Sequence, residues 1–420
     1  MNKIIIIGAG VSGLSVGLML TEAGKQVTIF EKEKKPGGLV RCDVVQGALY
    51  HRVGGHVFNS RNKQVLEWFW KHFSKDAFQL ATRHAVISLQ EGVCVDYPIE
   101  NHLYELSDEM RSAALDDLLA LTAQPPGEPD NFDDFLRRRF GNTLYNAYFG
   151  PYNRKIWRRP LTDVPLQWLQ GKLPMPTIKE ILSANIAQVK EMQMVHSTFW
   201  YPRCGGSQYI ADRLATGLDV RYGTPVCEIQ RTEWNTWVVN GQEAEAVIFC
   251  GNVKDLPRVL QGRGIDFSGI DRLEAHGTTS VLCSIETNPY SWVYLPSEEY
   301  EAHRMIVTGN FAASNNPPGI TTATIEFSSD IAQDEIERQL LRMPFAPRYI
   351  THHYTPYTYP MQQQDTRGII NALKSSLEPQ NFYLLGRFAE WEYYNMDAAM
   401  EAAMNLTTRL TSSVRGSVGL

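Results

Sequence analysis

The segment from Ile4 to Glu31 constrains the fold of this chain more than any other part of the sequence. Four isoleucines (residues 4–7) run directly into the sequence GAGVSG at residues 8–13, and a small, apolar segment follows through Leu20. A second apolar run, VTIF at residues 27–30, ends at Glu31. This order predicts a buried strand, a glycine turn, a helix, and a second strand with an acid at its end, which is the pattern of a dinucleotide-binding βαβ unit.

Each glycine of this motif, and the acid that closes it, has its own physical reason. Gly8 permits the tight turn, Gly10 lets the backbone approach a pyrophosphate, and Gly13 lets the helix pack closely on the strand. The helix N-terminus offers N–H groups and a partial positive charge to phosphates, and Glu31 can accept hydrogen bonds from a ribose. A glycine turn in an ordinary α/β unit would leave Glu31 unexplained, so the sequence predicts a dinucleotide site.

A second glycine pair indicates which dinucleotide is bound. Gly37 and Gly38 follow shortly after Glu31. A pair at this place resembles the FAD-binding family of glutathione-reductase and amine-oxidase type, in which it lies close to the phosphates and ribityl chain of the cofactor. NAD-binding domains usually lack this element, so FAD is the predicted cofactor.

The composition excludes several classes of protein. The chain has 420 residues and a net charge of −6, which argues against a general nucleic-acid binder. Its six cysteines are scattered without a CxxC pair, so we expect no metal site and no redox dithiol, but free thiols in the cytoplasm. Glycines interrupt the apolar N-terminal run, and no stretch reaches about 18 apolar residues, so we expect neither a signal peptide nor a transmembrane segment.

The texture of the sequence divides the chain into three units. Residues 1–85, 200–255 and 366–420 are predicted to form a discontinuous FAD-binding domain that ends in a helix from Asp397 to Leu410. A helical pattern begins at Ser107 and places a helical domain at residues 100–190, while strand-like runs place a β-sheet substrate domain at residues 86–99 and 256–365. The predicted fold class is α/β: a Rossmann-like FAD-binding domain with an inserted α-helical domain and an antiparallel β-sheet substrate domain.

Six further segments form an ordered set. They are GGHVF (residues 54–58), DYPIEN (96–101), PYNRKIW (151–157), YPRCGG (201–206), WVY (292–294) with Arg304, and GRFAEWEYYNMD (386–397). Together they resemble the UDP-galactopyranose mutases, and the resemblance covers essentially the whole chain. Residues 97–206 and 292–304 are closer to the eukaryotic branch of that family, whereas the ending Met396-Asp397 is closer to the bacterial branch.

The resemblance implies a function. The enzymes of this family are isomerases that interconvert the pyranose and furanose forms of UDP-galactose and need FAD in its reduced form. The resemblance implies that the flavin N5 attacks the anomeric carbon, displaces UDP and forms an adduct with the sugar, so that the flavin acts as a nucleophile. It further implies a UDP-sugar as partner, NAD(P)H as a candidate reductant and a role in cell-surface polysaccharide synthesis, and it leaves an oligomer open.

The resemblance also assigns roles to residues. His56 and Arg304 form the predicted catalytic set, with His56 beside the flavin N5 and Arg304 on the diphosphate. Residues 169–176 are predicted to form a mobile flap that carries a cation to the phosphates. The predicted cofactor-binding residues are Gly8, Gly10, Gly13, Glu31, Gly37, Gly38, Gly55, His56, Arg387 and Asn395. The predicted substrate-binding residues are Tyr97, Glu100, Asn153, Trp157, Lys172, His196, Tyr294, Arg304, Tyr359 and Tyr393.

Four residues depart from the family's pattern. Lys172 stands where the eukaryotic branch has arginine, Glu100 where it has glutamine, and His196 where asparagine is expected. Asn395 replaces an aspartate of the bacterial branch. These changes cluster around the substrate rather than around FAD, so a closely related UDP-sugar remains an alternative substrate.

Two other functions stay open at this point. The first is an FAD-dependent oxidase or desaturase of amine-oxidase or protoporphyrinogen-oxidase type. Such an enzyme needs a large apolar tunnel, and it does not need Arg304, Lys172 and several tyrosines around an anionic leaving group. The second is a non-catalytic FAD-binding protein.

Overall fold

The computed structural model describes residues 2–89, 92–123, 127–164, 166, 176–189, 197–261 and 264–412. In chain order the strands are β1 (Lys3–Ile7), β2 (Gln26–Phe30), β3 (Cys42–Val45), β4 (Ala48–His51), β5 (Phe78–Thr82), β6 (Ala85–Ser88), β7 (Cys94–Asp96), β8 (Thr198–Pro202), β9 (Asp219–Arg221), β10 (Ile229–Arg231), β11 (Trp237–Val239), β12 (Gln242–Ala244), β13 (Ala246–Phe249), β14 (Leu260–Gln261), β15 (Ala275–Ile285), β16 (Trp292–Tyr294), β17 (Arg304–Ile306), β18 (Thr321–Phe327), β19 (Arg348–Pro360) and β20 (Phe382–Leu384). The helices are α1 (Val11–Glu22), α2 (Lys63–His72), α3 (Asp108–Ala123), α4 (Phe132–Leu144), α5 (Gly150–Trp157), α6 (Ile178–Ala187), α7 (Gly206–Ala215), α8 (Leu256–Val259), α9 (Gln333–Leu340), α10 (Thr366–Leu377) and α11 (Met396–Ser412).

A parallel five-stranded sheet with the order β20-β13-β1-β2-β9 forms the first half of the molecule. Its central strand β1 is covered on both faces: Ile4 and Ile6 pack in one core with α1 and α11, and Ile5 and Ile7 pack in another with Trp237. A strand that is buried on both sides needs apolar residues at every position, which explains the unbroken isoleucine run. The predicted Rossmann-like unit is confirmed.

The turn between β1 and α1 requires glycine for two separate reasons. Gly8 has a φ of +106°, which L-residues with a side chain rarely adopt. A Cβ atom on Gly13 would lie 2.0 Å from the carbonyl oxygen of Gly8, so only glycine lets α1 approach the strand end this closely. The backbone therefore turns sharply and presents the N-terminus of α1 at the carboxyl edge of the sheet.

A seven-stranded sheet with the order β19-β15-β18-β17-β16-β6-β7 forms the second half. Its pairings are antiparallel, except that β16 and β6 run parallel. Alternate residues of β18, such as Ile325 and Phe327, pack in one core. The period of two in a strand turns the residue between them, Glu326, to the opposite face. The predicted antiparallel sheet is thus confirmed.

The helices α3 to α6 lie between β7 and β8 in the chain and pack over the β6–β7 edge of the second sheet. A π-helical turn, Tyr145–Phe149, joins α4 to α5. The core of this unit contains Leu118, Leu136 and Trp157 together with Ile87 and Val95 from the sheet. The inserted helical unit of the predicted fold class therefore abuts the edge of the sheet.

The exact domain ranges given by the sequence stay a prediction. Strands inside the predicted range 200–255 fall into two sheets: β9 joins the parallel sheet, while β10 joins a small sheet with the order β12-β11-β10-β14. Leu256, Leu260 and Leu273, beyond the predicted boundary at residue 255, pack in the core of Ile5 and Ile7. Within the described ranges, none of the helices combines the length and apolar composition needed to cross a bilayer.

Candidate active site

A cleft of 660 Å³ opens at the carboxyl edge of the parallel sheet and is called the dinucleotide cleft below. It is walled by the β1–α1 turn, the end of β2, the Gly37–Gly38 pair and the segment after β20. Nine predicted cofactor-binding residues line it: Gly8, Gly10, Gly13, Glu31, Gly37, Gly38, His56, Arg387 and Asn395.

Gly55 is the predicted cofactor residue that faces elsewhere. A Cβ atom on Gly55 would lie 2.5 Å from Ile306 and 3.0 Å from Phe311. Gly55 therefore lets the chain pack against the antiparallel sheet, and it is absent from the lining of the dinucleotide cleft. The motif predicts a cofactor contact for Gly55, whereas the structure explains this glycine by the close packing of its segment on Ile306 and Phe311.

The residues of the cleft fit a dinucleotide. A Cβ atom on Gly10 would meet nothing within 4 Å, so the backbone at this point is open to the cleft and the α1 N-terminus beyond it can face a phosphate. The carboxylate of Glu31 is held at the end of β2 because it accepts hydrogen bonds from the N–H groups of Ala9 at 2.6 Å and Glu33 at 2.9 Å. When FAD binds, α1 and Gly10 would hold its pyrophosphate and Glu31 its ribose.

His56 presents an uncharged imidazole to the cleft. Burial, with smaller contributions from Arg387 and His51, lowers the pKa of His56 to about 3. Its Nε2 atom is buried, and no described group hydrogen-bonds to it. An orphaned polar atom of this kind on a cleft wall fits a site whose polar partner is a ligand.

A second cavity of 320 Å³ is called the aromatic cavity below. It is enclosed by the helical unit on one side and by β15, β16, β17 and β19 on the other. The predicted substrate-binding residues Tyr97, Glu100, Asn153, Trp157, Tyr294, Arg304, Tyr359 and Tyr393 all line it. Lys172, His196 and residues 169–175 of the predicted flap (169–176) lie outside the described residues.

Strand register brings three polar residues side by side on one face of the second sheet. Tyr294 pairs with Arg304 between β16 and β17, and Arg304 pairs with Glu326 between β17 and β18. The intervening residues Val293, Met305 and Ile325 face the core on the other side. The sheet therefore presents a tyrosine, an arginine and a carboxylate in one row beside the aromatic cavity.

Arg304 is fixed by an ion pair with a buried carboxylate. Its Nε donates to the carboxylate of Glu326, and its Nη2 donates to the hydroxyl of Tyr359 at 2.8 Å. Burial favours the neutral acid, but the charge of Arg304, together with the neighbouring His303, outweighs it and holds the pKa of Glu326 well below its usual range. The same pair raises the pKa of Arg304 despite its burial, so both groups are charged.

Two stacked tyrosines and an arginine form the wall between the two cavities. The rings of Tyr359 and Tyr393 stack at 5.8 Å. The guanidinium of Arg387, which lines the dinucleotide cleft, lies 5.0 Å from the ring of Tyr393 and 6.0 Å from that of Tyr359. Its orientation is held by a hydrogen bond from Nη1 to the carbonyl oxygen of Thr358 at 3.0 Å. The dinucleotide cleft and the aromatic cavity are therefore adjacent.

Glu100 places a carboxyl group in the lining of the aromatic cavity. The side chain is buried, and burial raises the pKa of Glu100 to about 7. Asn185 of α6 donates to its backbone oxygen at 2.8 Å, which fixes the segment. The carboxyl is thus neutral below neutral pH, and in that form it has a donor and an acceptor like the glutamine expected at this position.

Sequence reasoning missed several residues of this site. Glu326 is not among the predicted site residues, although a single acid inside an uncharged strand is a usable signal. Tyr152 lies inside the PYNRKIW motif, and its ring packs 5.2 Å from Tyr148 and 5.4 Å from Tyr294. His276 and His303 also line the cavity. These residues reach the site because their elements are neighbours in the fold, and no local sequence pattern reveals that.

Comparisons with known proteins agree with this geometry. The family of NAD(P)-binding Rossmann-like domains matches residues 6–73. A UDP-galactopyranose mutase of Mycoplasma pneumoniae is 21% identical over 420 residues, which covers 95% of this chain and 94% of that protein. A dTDP-fucopyranose mutase of Escherichia coli is 26% identical over 185 residues, covering 42% of this chain and 46% of that protein.

The fold comparison extends over the same length. A crystal structure of reduced UDP-galactopyranose mutase superposes with a TM-score of 0.86 at 21% identity, covering 98% of this chain and 94% of that one. The resemblance to UDP-galactopyranose mutases that the motifs indicate is thereby confirmed, and the names of these relatives agree with the predicted isomerase class.

Proposed function

We propose that this chain, which resembles the UDP-galactopyranose mutases over nearly its full length, is an isomerase that interconverts the pyranose and furanose forms of UDP-galactose. A closely related nucleotide sugar is the alternative substrate. The observation that carries the proposal is the shared wall of Arg387, Tyr393 and Tyr359. It places a cavity with a fixed arginine directly against a cleft that fits FAD.

The chain's own residues supply binding, orientation and exclusion of water. Reduced FAD, when bound, supplies a nucleophilic nitrogen for the anomeric carbon of the sugar. Arg304 and Tyr359 donate hydrogen bonds toward the diphosphate, on which negative charge accumulates as it leaves. The guanidinium is held in place by Glu326 before the ligand arrives, so little reorganisation is needed.

The opposite end of the aromatic cavity suits the nucleoside. Tyr148, Tyr152 and Trp157 give it flat, largely apolar walls that pack against a base and exclude water. At the flavin end, His56 adds a polar group without adding charge, because its pKa lies near 3. The sugar would then occupy the space between Arg304 and the dinucleotide cleft.

The same features disfavour an oxidase or a desaturase with an apolar substrate. Such a substrate would displace water from Arg304, Tyr359 and Glu100, and it would offer no hydrogen bonds to the polar atoms that the protein itself leaves available there. Buried polar groups that lose their partners cost about 1 to 3 kcal/mol each. A nucleotide diphosphate satisfies the arginine and the tyrosine instead.

Product analysis tests this proposal. The FAD-loaded protein is incubated with UDP-galactofuranose, and separately with dTDP-fucofuranose, after reduction with dithionite or with NADPH. We expect conversion to the pyranose form with the reduced protein and none with the oxidised protein. Arg304→Ala should retain FAD and lose conversion.

The outcomes separate the substrates. Conversion of the dTDP-sugar alone would keep the isomerase and replace the proposed sugar. No conversion of either sugar by reduced, FAD-loaded protein would reject the isomerase. Reduction by NADPH at a rate that supports turnover would support NAD(P)H as reductant, and no reduction by either NADPH or NADH would exclude NAD(P)H.

A further inference from the structure

Glu326 is a fully buried carboxylate with partners in two parts of the site. One oxygen, Oε2, bonds to the Nε of Arg304 and lies 3.6 Å from the Nε2 of His303. The other oxygen, Oε1, accepts a hydrogen bond of 3.0 Å from the backbone N–H of Gly54. The side chain is 0% exposed, so these contacts must offset the cost of burying its charge.

The Gly54 contact reaches the flavin end of the site. Gly54 has a φ of +59°, and a Cβ atom built there would lie 3.7 Å from Nε2 of His56 and 3.8 Å from Oε1 of Glu326. The carboxylate and the imidazole therefore flank the same glycine. His56 lines the dinucleotide cleft, whereas Arg304 lines the aromatic cavity.

We propose that Glu326 is a positioning residue that couples the two cavities. With one oxygen it fixes Arg304 for the diphosphate, and with the other it holds the turn that carries His56 beside the flavin. A purely structural ion pair would need only Arg304, and the bond to Gly54 is the observation that extends the role. The inference rests on the proposed function, since it assigns the diphosphate to Arg304.

Removing the carboxylate changes the two cavities in different ways. Without Glu326, Arg304 loses the partner that sets its orientation, so it binds the diphosphate less well. At the same time a buried negative charge disappears near the flavin, and the charge of Arg304 is no longer balanced. Reduction adds negative charge to the flavin. Reduction of the bound flavin therefore becomes more favourable when the negative charge of Glu326 is removed.

The test uses Glu326→Gln in the FAD-loaded protein. UDP affinity is measured from the flavin difference spectrum, and the reduction potential is measured by equilibration with a reference dye. We expect the Kd for UDP to rise at least about tenfold, as for the loss of an interaction of about 1.4 kcal/mol, with FAD still bound. We expect the potential to become more positive.

Two further variants complete the test. Glu326→Asp keeps the charge but shortens the side chain, so we expect weaker UDP binding with a potential near that of the wild type. Glu378→Gln removes a carboxylate from a surface pair with Arg409 at 2.7 Å and should change neither quantity. Should Glu326→Gln fail to fold, wild-type UDP affinity in Glu326→Asp would overturn the proposal.

The remaining outcomes are equally decisive. Lower thermal stability of Glu326→Gln with unchanged UDP affinity and unchanged potential would mean that Glu326 is structural only, and the proposal would fall. If the wild-type protein does not bind UDP, the proposed function fails together with the role of Glu326 toward the diphosphate, while the potential still decides its role at the flavin end. A shifted potential in Glu326→Gln then supports it, and an unchanged one overturns it.

Discussion

Gly10 and Gly13 belong to one motif but meet different surroundings. A methyl group on Gly13 would collide with the backbone of Gly8, whereas a methyl group on Gly10 would meet no protein atom within 4 Å. Gly10 has a φ of −77° and a ψ of 178°, which alanine adopts without strain. Gly13 therefore serves the packing of the fold, whereas the fold itself does not require glycine at residue 10, which fits the proposed contact of Gly10 with a ligand.

This difference predicts separable effects of the same substitution. Gly10→Ala should leave the stability of the FAD-free protein within about 0.5 kcal/mol of the wild type and weaken FAD binding strongly, because the methyl group occupies the path of the pyrophosphate. Gly13→Ala should destabilise the FAD-free protein by several kcal/mol, on the order of 3. Denaturant unfolding and FAD titration measure the two effects. Equal loss of stability in both variants would contradict the assignment.

Glu100 predicts a pH dependence of substrate binding. Burial raises the pKa of Glu100 to about 7, so its carboxyl is neutral below this pH and becomes an anion above it. An anion repels the diphosphate in the same cavity, so affinity is present at low pH and is lost as the pH rises through 7. The Kd for UDP-galactose should rise by up to about tenfold per pH unit above the pKa.

The control for this prediction is Glu100→Gln, which should bind UDP-galactose with an affinity that stays nearly constant from about pH 6 to about pH 8. The ligand for this experiment is UDP-galactose rather than UDP, because the diphosphate of UDP-galactose does not titrate in this pH range. Tyr148 and His276, on the same cavity, stay neutral throughout, because burial raises the pKa of Tyr148 and lowers that of His276 to about 4. An identical pH profile in both proteins would assign the dependence elsewhere.

At the scale of residues, the sequence predicted the groups that lie in motifs and missed those that depend on strand pairing. Arg304 and Tyr359 were assigned through the resemblance, and both line the aromatic cavity. Glu326 was missed because its partners, Gly54 and Arg304, come from other segments of the chain. No local pattern encodes a contact across 272 positions.

At the scale of elements, two residues of the aromatic cavity flank the loop between β16 and β17. Tyr294 is the last residue of β16, and Arg304 is the first residue of β17. Lys155 of α5 closes this loop: its Nζ donates to the carbonyl oxygens of Leu295 at 2.7 Å and of Ala302 at 2.9 Å. The same Nζ donates a third hydrogen bond to the carbonyl oxygen of Ser297. The helical unit and the sheet are thereby tied together beside the cavity.

Lys155→Met should break this link. We expect the free energy of unfolding to fall by about 2 to 4 kcal/mol, because three hydrogen bonds to backbone carbonyl oxygens are lost together, and we expect UDP to bind several-fold more weakly. The neighbouring Arg154 forms an exposed pair with Glu298 at 3.0 Å, so Arg154→Met should cost less than about 1 kcal/mol. Denaturant unfolding of both variants checks this, and equal losses would refute the role of Lys155.

The type of most elements followed from sequence, but their neighbours did not. The strand-like runs that the sequence predicts between residues 256 and 365 are confirmed as strands, among them β15 and β18. The parallel pairing of β6 with β16, which brings residues 85–87 beside residues 292–294, had no signature. Hydrophobic alternation defines which face of a strand is buried, and it leaves the partner strand to the packing of the whole sheet.

At the scale of the molecule, the dinucleotide cleft joins segments that are far apart in the chain. Its lining is made of residues from four segments of the chain: 7–56, 224–259, 353–357 and 386–399. The sequence predicted a discontinuous FAD domain because strand texture returns after the helical unit. It could not predict that residues 353–357, on β19 of the second sheet, also reach the cleft.

A ligand that contacts all these segments should stabilise the folded chain as a whole. FAD at about a thousandfold excess over its Kd should add about 4 kcal/mol, which raises the Tm by roughly 5 °C for a chain of this length. Thermal unfolding of FAD-free protein with and without added FAD measures this, with Gly10→Ala as the control that should gain less. No change in Tm for the wild type would argue against FAD in this cleft.

The central claim is that the protein breaks the bond between the anomeric carbon and the diphosphate while reduced FAD lies beside the sugar. Positional isotope exchange tests it most directly, using UDP-galactose that carries ¹⁸O in the bridge between sugar and phosphate. We predict that the reduced, FAD-loaded protein scrambles the label into the non-bridging β-phosphate positions, as seen by ³¹P NMR, and that oxidised protein and Arg304→Ala do not. If the reduced protein binds UDP-galactose and the ¹⁸O stays in the bridging position, the claim is contradicted.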